Sequence, residues 1–250
     1  MPRLNDNAME EKILPNTSFG YSATRIEELG ATEYTLVDLV VDTSGSVDAF
    51  KGEMEAAIKE VVNACKKSPR ADNLMIRFVT FDDAMGEIHG YKLLENCNLS
   101  DYDGVLQCGG MTALYDASEN AVMSATDYAK DLTENDFAVN SIAIFITDGC
   151  DNRSTVSPAS VKKALEEAVR GEATESMVTI LIGVGVGSYA DVSNALKRFK
   201  DEADLTQYVE TKDADANTLA KLAEFVSKSI SAQSQSLGTG GASQPMSLSI

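Results

Sequence analysis

The chain has 250 residues, 44% of them apolar and 6% aromatic with no tryptophan, and it carries a formal charge of -18. That length suits one large domain with tails or two small ones, and the apolar share suffices for a core of aliphatic, Met, Phe and Tyr side chains. The acidity repels phosphate backbones, no window clusters Lys and Arg as a nucleic-acid footprint requires, and no apolar run approaches the roughly 20 residues that span a bilayer, so nucleic acid and membrane are excluded as partners.

Residues 1–32 open the chain without sustained periodicity and include Pro2, Pro15, Asn16 and Gly20. We read an irregular arm that packs on the domain or on a partner. Its first seven residues have no apolar h-region, so no signal peptide is expected and a cytoplasmic location is.

Regular alternation begins at Thr35. Thr35–Asp42 reads as a strand. Ala49–Lys67 follows as a helix, with Phe50, Met54, Ala57, Ile58, Val61, Val62 and Cys65 at helical spacing. Leu74–Phe81 is a second strand, and a short strand follows around Glu87–Leu94. Leu114–Leu132 is helical. Ser141–Thr147 is a continuous apolar run of the kind a buried parallel strand requires. Ser157-Pro158 opens the next helix, where Pro suits a first helical position. Met177–Val184 is a strand, Tyr189–Lys200 a helix, Thr206–Glu210 a short edge strand and Asp215–Ile230 an amphipathic helix. From Ser231 the chain is rich in Ser, Gln and Gly and reads as a flexible tail with little to bury. The expected organisation is an arm over 1–32, one domain over 33–230 and a tail over 231–250. The expected class is α/β, Rossmann-like and doubly wound, with a mostly parallel sheet and helices on both faces.

Cys65, Cys97, Cys108 and Cys150 form no C-x-x-C pair, and His89 is the sole histidine. A zinc site of Cys/His spacing is therefore not expected, and reduced, structural thiols fit an intracellular compartment.

Three loops carry the chemistry. Asp42-Thr43-Ser44-Gly45-Ser46 follows the first strand and places one carboxylate and two hydroxyls at its C-terminal end. These are hard oxygen donors of the kind Mg²⁺ prefers, at the edge where open α/β sheets bind ligands. Gly109-Gly110-Met111-Thr112-Ala113-Leu114 is a turn running into a helix; its glycines permit close backbone approach, and Thr112 offers a hydroxyl. Ile144-Phe145-Ile146-Thr147-Asp148-Gly149 ends the central strand in a carboxylate expected to share a crevice with Asp42.

These motifs, in this order, resemble the von Willebrand factor A domain over about residues 34–230. The resemblance implies a metal-ion-dependent adhesion site whose ligands here are Asp42, Ser44, Ser46, Thr112 and Asp148. In that family the hydroxyls coordinate Mg²⁺, and the carboxylates bind it directly or through water. Mn²⁺ and Ca²⁺ are the alternative ions. Mg²⁺ wants six oxygens and keeps waters, so an Asp or Glu of a protein partner can complete the shell. Within the family the chain looks closer to bacterial and phage intracellular members of the tellurite-resistance type. The expected function is Mg²⁺-dependent protein interaction without catalysis. The rivals are a metal-dependent hydrolase, which would use the cation to activate water, and a structural virion or assembly component in which the metal is incidental.

Other candidates have plainer readings. Asp82, Asp83, Asp103, Asp116 and Asp151 read as an acidic rim, any of which could accept from metal-bound water. Asp38 is expected near the solvated end of its strand, with no role, and His89 as a partly exposed strand residue. Gly183-Val184-Gly185-Val186-Gly187-Ser188 imitates a dinucleotide loop, but its G-x-G-x-G spacing on a late strand favours a tight turn.

Overall fold

The chain enters the sheet earlier than its pattern suggests. In the computed structural model, which describes residues 8–15, 17, 19–171 and 173–239, β1 (Met9–Ile13) and β2 (Gly20–Thr24) pair antiparallel within the stretch expected to be irregular. Met9-Glu10-Glu11-Lys12-Ile13 has no apolar alternation to announce a strand. Pairing and tertiary packing make it one: Leu14, Tyr21 and Ala23 are buried with Tyr91 and Tyr128 in a satellite core. β2 approaches its neighbour so closely that a β-carbon on Gly90 would lie 1.8 Å from the Ser22 carbonyl oxygen, so only glycine fits there. Residues 1–7, the start of the expected arm, lie outside the described residues.

The central elements follow the apolar pattern: β3 (Glu33–Asp42), α1 (Lys51–Lys66), β4 (Leu74–Phe81), β5 (Met85–Leu93), α2 (Leu114–Glu134), β6 (Ala138–Thr147), α3 (Pro158–Arg170), β7 (Met177–Gly183), α4 (Ala190–Glu202), β8 (Gln207–Glu210) and α5 (Ala216–Thr239). Among the described residues the sheet has eight strands in the order β1-β2-β5-β4-β3-β6-β7-β8. The pairs β4–β3, β3–β6, β6–β7 and β7–β8 are parallel, while β5 runs antiparallel to β4. Val37, Leu39 and Val41 of β3 pack with α1 and α5 on one face. Val40 of β3 and Phe145 of β6 pack with α2, α3 and α4 on the other. This is the expected doubly wound α/β architecture. The chain leaves β3 toward β4 on one side and reaches β6 on the other, so the C-terminal ends of β3 and β6 form the topological switch point.

Two buried polar groups contradict their expected exposure. Asp38 is sealed in the interior, where Arg77 Nη1 donates to it over 3.2 Å and the Tyr91 hydroxyl over 2.7 Å. Arg77, also buried, donates to Glu87 (2.7 Å) and to Asn120 (2.9 Å) on α2. Burial pushes Asp38 up to about 6, against the pull of Arg77 and Tyr91. His89 is fully buried; one ring nitrogen meets the Tyr102 hydroxyl and the other the Gly90 carbonyl, each at 2.9 Å. Burial lowers its pKa.

α5 runs past its expected end at Ile230 into the Ser/Gln-rich stretch. The Gln233 side chain donates to the Ser141 carbonyl (3.0 Å) and to Ser176 Oγ (2.9 Å), Arg70 donates to Ser234 Oγ (3.2 Å), and Leu237 is buried. These turns are held by hydrogen bonds to the sheet's lower edge, a contact that composition does not reveal. Residues 240–250, the remainder of the expected tail, lie outside the described residues.

Candidate metal centre

At the switch point, three loops converge on the ends of β3 and β6. The first leaves β3 at Asp42. Its Oδ1 accepts the Ser44 backbone N–H at 2.7 Å, a local turn that directs the next residues back over the strand end. A 3-10 turn over Gly45–Phe50 then leads into α1. The Ser44 and Ser46 hydroxyls stand 3.3 Å apart, and Ser46 donates to Asp148 Oδ1 at 2.8 Å. Asp148 directly follows β6, the strand beside β3.

The second loop is Gly109–Ala113. Gly109 N–H donates to the Thr43 carbonyl (2.8 Å), and Gly45 N–H donates to the Gly110 carbonyl (3.4 Å). Gly110 takes φ +67°, and a β-carbon there would meet the Asp83 carboxylate at 3.0 Å. Thr112 is buried. Its hydroxyl lies beside the Asp148 turn, 3.9 Å from where a β-carbon on Gly149 would sit.

The third loop follows Asp148. Asn152 is tied to Thr112 in both directions, accepting its N–H at 2.8 Å and donating its own to the Thr112 carbonyl at 3.0 Å. The structure thus joins Asp42, Ser44, Ser46 and Asp148 through direct or shared hydrogen bonds. It places Thr112 on the adjoining loop.

Burial pushes Asp42 up to about 6, while the hydrogen bonds from Thr147 and Ser44 pull it down and Asp148 adds to the rise. Burial also raises Asp148, against the bond from Ser46. Two partly desolvated carboxylates therefore share this crevice, and Asp148 raises Asp42 further. Among the described residues no three His, Cys, Asp or Glu side chains gather as a metal site. The donor set here is instead two carboxylates and three hydroxyls. Oxygen donors of this kind suit a hard divalent cation.

Of the acidic rim, Asp116 accepts the N–H groups of Thr155 and Val156, each at 2.9 Å, and Asp151 accepts that of Tyr115 at 3.2 Å. Asp83 accepts the Met111 N–H at 2.9 Å and Asp82 that of Ala84 at 3.0 Å, while Asp103 pairs with Lys59. Four of the five therefore fasten loops. In the Gly183–Ser188 turn, Gly185 takes φ +70°, and the Gly185 and Gly187 N–H groups donate to Thr211 at 2.9 and 3.0 Å. Amides spent in this way do not cradle a phosphate.

Thr147, Asn152 and Thr43 are not among the residues that the sequence singles out. Thr147 had a signal: it is a hydroxyl ending an apolar strand, and a buried hydroxyl must find a partner. Asn152 and Thr43 act by bonding to the backbone of other loops and strands, and leave no pattern. A groove of about 790 Å³ between α1 and α5, lined by Gly52, Ala56 and Ala220, contains none of these residues.

No family model matches the chain, and no curated protein matches it in sequence. Solved structures do resemble it. Proximal thread matrix protein 1 from the mussel byssus is 23% identical with a TM-score of 0.56, over 80% of this chain and 47% of the mussel protein. Another structure of that protein has zinc in its metal-ion-dependent adhesion site motif. The minor pilin PilB of Streptococcus sanguinis is 15% identical with a TM-score of 0.58, over 88% of this chain and 66% of the pilin. The vWF domain of the type V pili tip protein Mfa5 from Porphyromonas gingivalis is 12% identical with a TM-score of 0.50, over 87% of this chain and 99% of that domain. The chain thus spans about half of the mussel protein and just under two thirds of the pilin. At these identities the likeness is one of fold: an α/β fold like that of von Willebrand factor A-type domains. Among the described residues no helix is long and apolar enough to cross a membrane.

Proposed function

We propose that this chain is a divalent-cation-dependent protein-interaction module. Asp42, Ser44, Ser46, Thr112 and Asp148 would hold Mg²⁺, with Mn²⁺ or Ca²⁺ as alternatives, and an Asp or Glu of a protein partner would complete the coordination. The observation that carries this reading is the convergence of Asp42 and Asp148 from neighbouring strand ends, with the Ser44 and Ser46 hydroxyls 3.3 Å apart and Ser46 bonded to Asp148. A cation there supplies charge neutralisation and open coordination positions for an incoming carboxylate. The zinc at the corresponding motif of the mussel protein supports a divalent ion on this fold.

A binding role without catalysis fits the buried state of His89, both of whose ring nitrogens are engaged. That leaves no histidine to serve as a base at the site. The unpaired cysteines Cys65, Cys97, Cys108 and Cys150 support action in a reducing compartment.

The test is capture of partners from a lysate of the source cells by the immobilised chain, with Mg²⁺ and with EDTA, beside Asp148→Ala. The reading expects at least one protein retained in Mg²⁺ and lost in both controls. Retention that ignores EDTA and Asp148→Ala would contradict it. Metal-dependent turnover of phosphoesters or peptides, lost in Asp148→Ala, would favour the hydrolase instead.

A further inference from the structure

We infer that Thr147 is a positioning residue for the cation site, one hydroxyl that fastens both carboxylates; this rests on the metal reading above. Thr147 is the last residue of β6 and is buried. Its backbone is fixed at the strand end, since its carbonyl accepts the Val184 N–H at 2.8 Å. Its hydroxyl donates to Asp42 Oδ2 at 2.6 Å. The same oxygen accepts the Gly149 N–H at 3.1 Å, closing the turn that carries Asp148. A hydroxyl has one proton and two lone pairs. The short bond to a carboxylate takes the proton, and the lone pairs remain for Gly149.

The consequence for Asp42 is a fixed carboxylate. Oδ2 is held by Thr147 and Oδ1 by the Ser44 N–H at 2.7 Å, so the side chain is set from both ends. Each oxygen keeps a lone pair for a cation or for its water. Asp148 is set indirectly, through the turn at Gly149, and directly by Ser46. Without the Thr147 hydroxyl, Asp42 Oδ2 would lose its partner inside the fold and the Asp148 turn would lose its closing bond. Groups that only orient a ligand typically govern metal affinity about 10–100-fold.

The experiment is titration calorimetry of Mg²⁺ into Thr147→Val, Thr147→Ser and Asp148→Ala, with circular-dichroism melts in EDTA. Valine keeps the shape and removes the oxygen; serine keeps the oxygen and removes the methyl group. The expected result is a folded Thr147→Val whose Mg²⁺ affinity is about 10–100-fold weaker, with Thr147→Ser close to the parent chain. Equal affinity in Thr147→Val and the parent would overturn the inference. So would a loss that serine does not restore. A Thr147→Val chain that fails to fold in EDTA while Thr147→Ser folds would also overturn it, because the hydroxyl would then serve the fold and not the cation. If Asp148→Ala abolishes binding while Thr147→Val does not, this inference alone fails. If the parent binds no Mg²⁺, or Asp148→Ala binds as the parent does, the metal reading fails with it.

Discussion

Ser46 Oγ donates to Asp148 Oδ1 across 2.8 Å, joining two loops 102 residues apart in the chain. Ser46 is exposed and Asp148 half-buried, so the bond lies at the mouth of the crevice, where a cation would enter. In that position the serine proton points at the carboxylate and a lone pair is left for an ion.

Ser46→Ala should therefore weaken Mg²⁺ binding by about tenfold or more, since even residues that only orient ligands cost that much. The fold should be unaffected, because the lost hydroxyl is at the surface. Calorimetry beside a thermal melt in EDTA checks both halves; unchanged affinity would remove Ser46 from the ligand set.

Asp42 predicts how binding depends on pH. Burial holds its carboxyl up at about 6, and proton and cation compete for the same oxygens. Mg²⁺ affinity should be flat above about pH 7 and fall roughly tenfold per unit well below pH 6. In EDTA the sign on folding is opposite. A folded-state pKa raised above its ordinary value contributes stability that is full below that ordinary value and is lost as pH rises through about 6. Asp42→Asn should thus melt higher than the parent at pH 7 in EDTA, and lower than the parent at saturating Mg²⁺.

Much of this fold, and the loops that carry the candidate ligands, is legible in the sequence, and the rest is not for a physical reason. β3, β4, β6 and β7 are buried nearly throughout, so their apolar runs announce them, and α1 and α2 carry one apolar stripe each. Asp42, Ser44, Ser46, Thr112 and Asp148 stand out as candidates because each lies at or near the end of such an element. β1 and β2, the end of α5, Asp38 and His89 do not. Each depends on a partner far along the chain: Tyr21 on Tyr128, Gln233 on Ser141, Asp38 on Arg77 and His89 on Tyr102. Local composition has no access to those partners, so a polar residue in a strand or a Ser/Gln run reads as exposed when it is buried and paired.

The Arg77 cluster predicts a large effect from one substitution. Arg77→Met would leave Asp38 and Glu87 facing each other with no cation, Asp38 fully buried. Breaking a buried pair in this way costs about 3–5 kcal/mol. Urea unfolding should show that loss, and Asp38→Asn combined with Arg77→Met should recover part of it. A change below about 1 kcal/mol would mean the cluster is better hydrated than its burial indicates.

The end of α5 predicts the outcome of truncation. Stopping the chain after Ile230 removes the buried Leu237, worth about 1.5–3 kcal/mol, and the Gln233 and Ser234 bonds at about 1 kcal/mol each. The melting temperature should drop by several degrees. An unchanged melt would show that these turns do not hold the helix to the sheet.

The cation site itself is tested most directly by a crystal soaked in Mn²⁺ and measured at the manganese edge. The account predicts one strong anomalous peak between Ser44 Oγ and Ser46 Oγ, bounded by Asp42, Thr112 and Asp148, and its disappearance in crystals of Asp148→Ala. No peak in that crevice at millimolar Mn²⁺, or a peak that persists in Asp148→Ala, would contradict it.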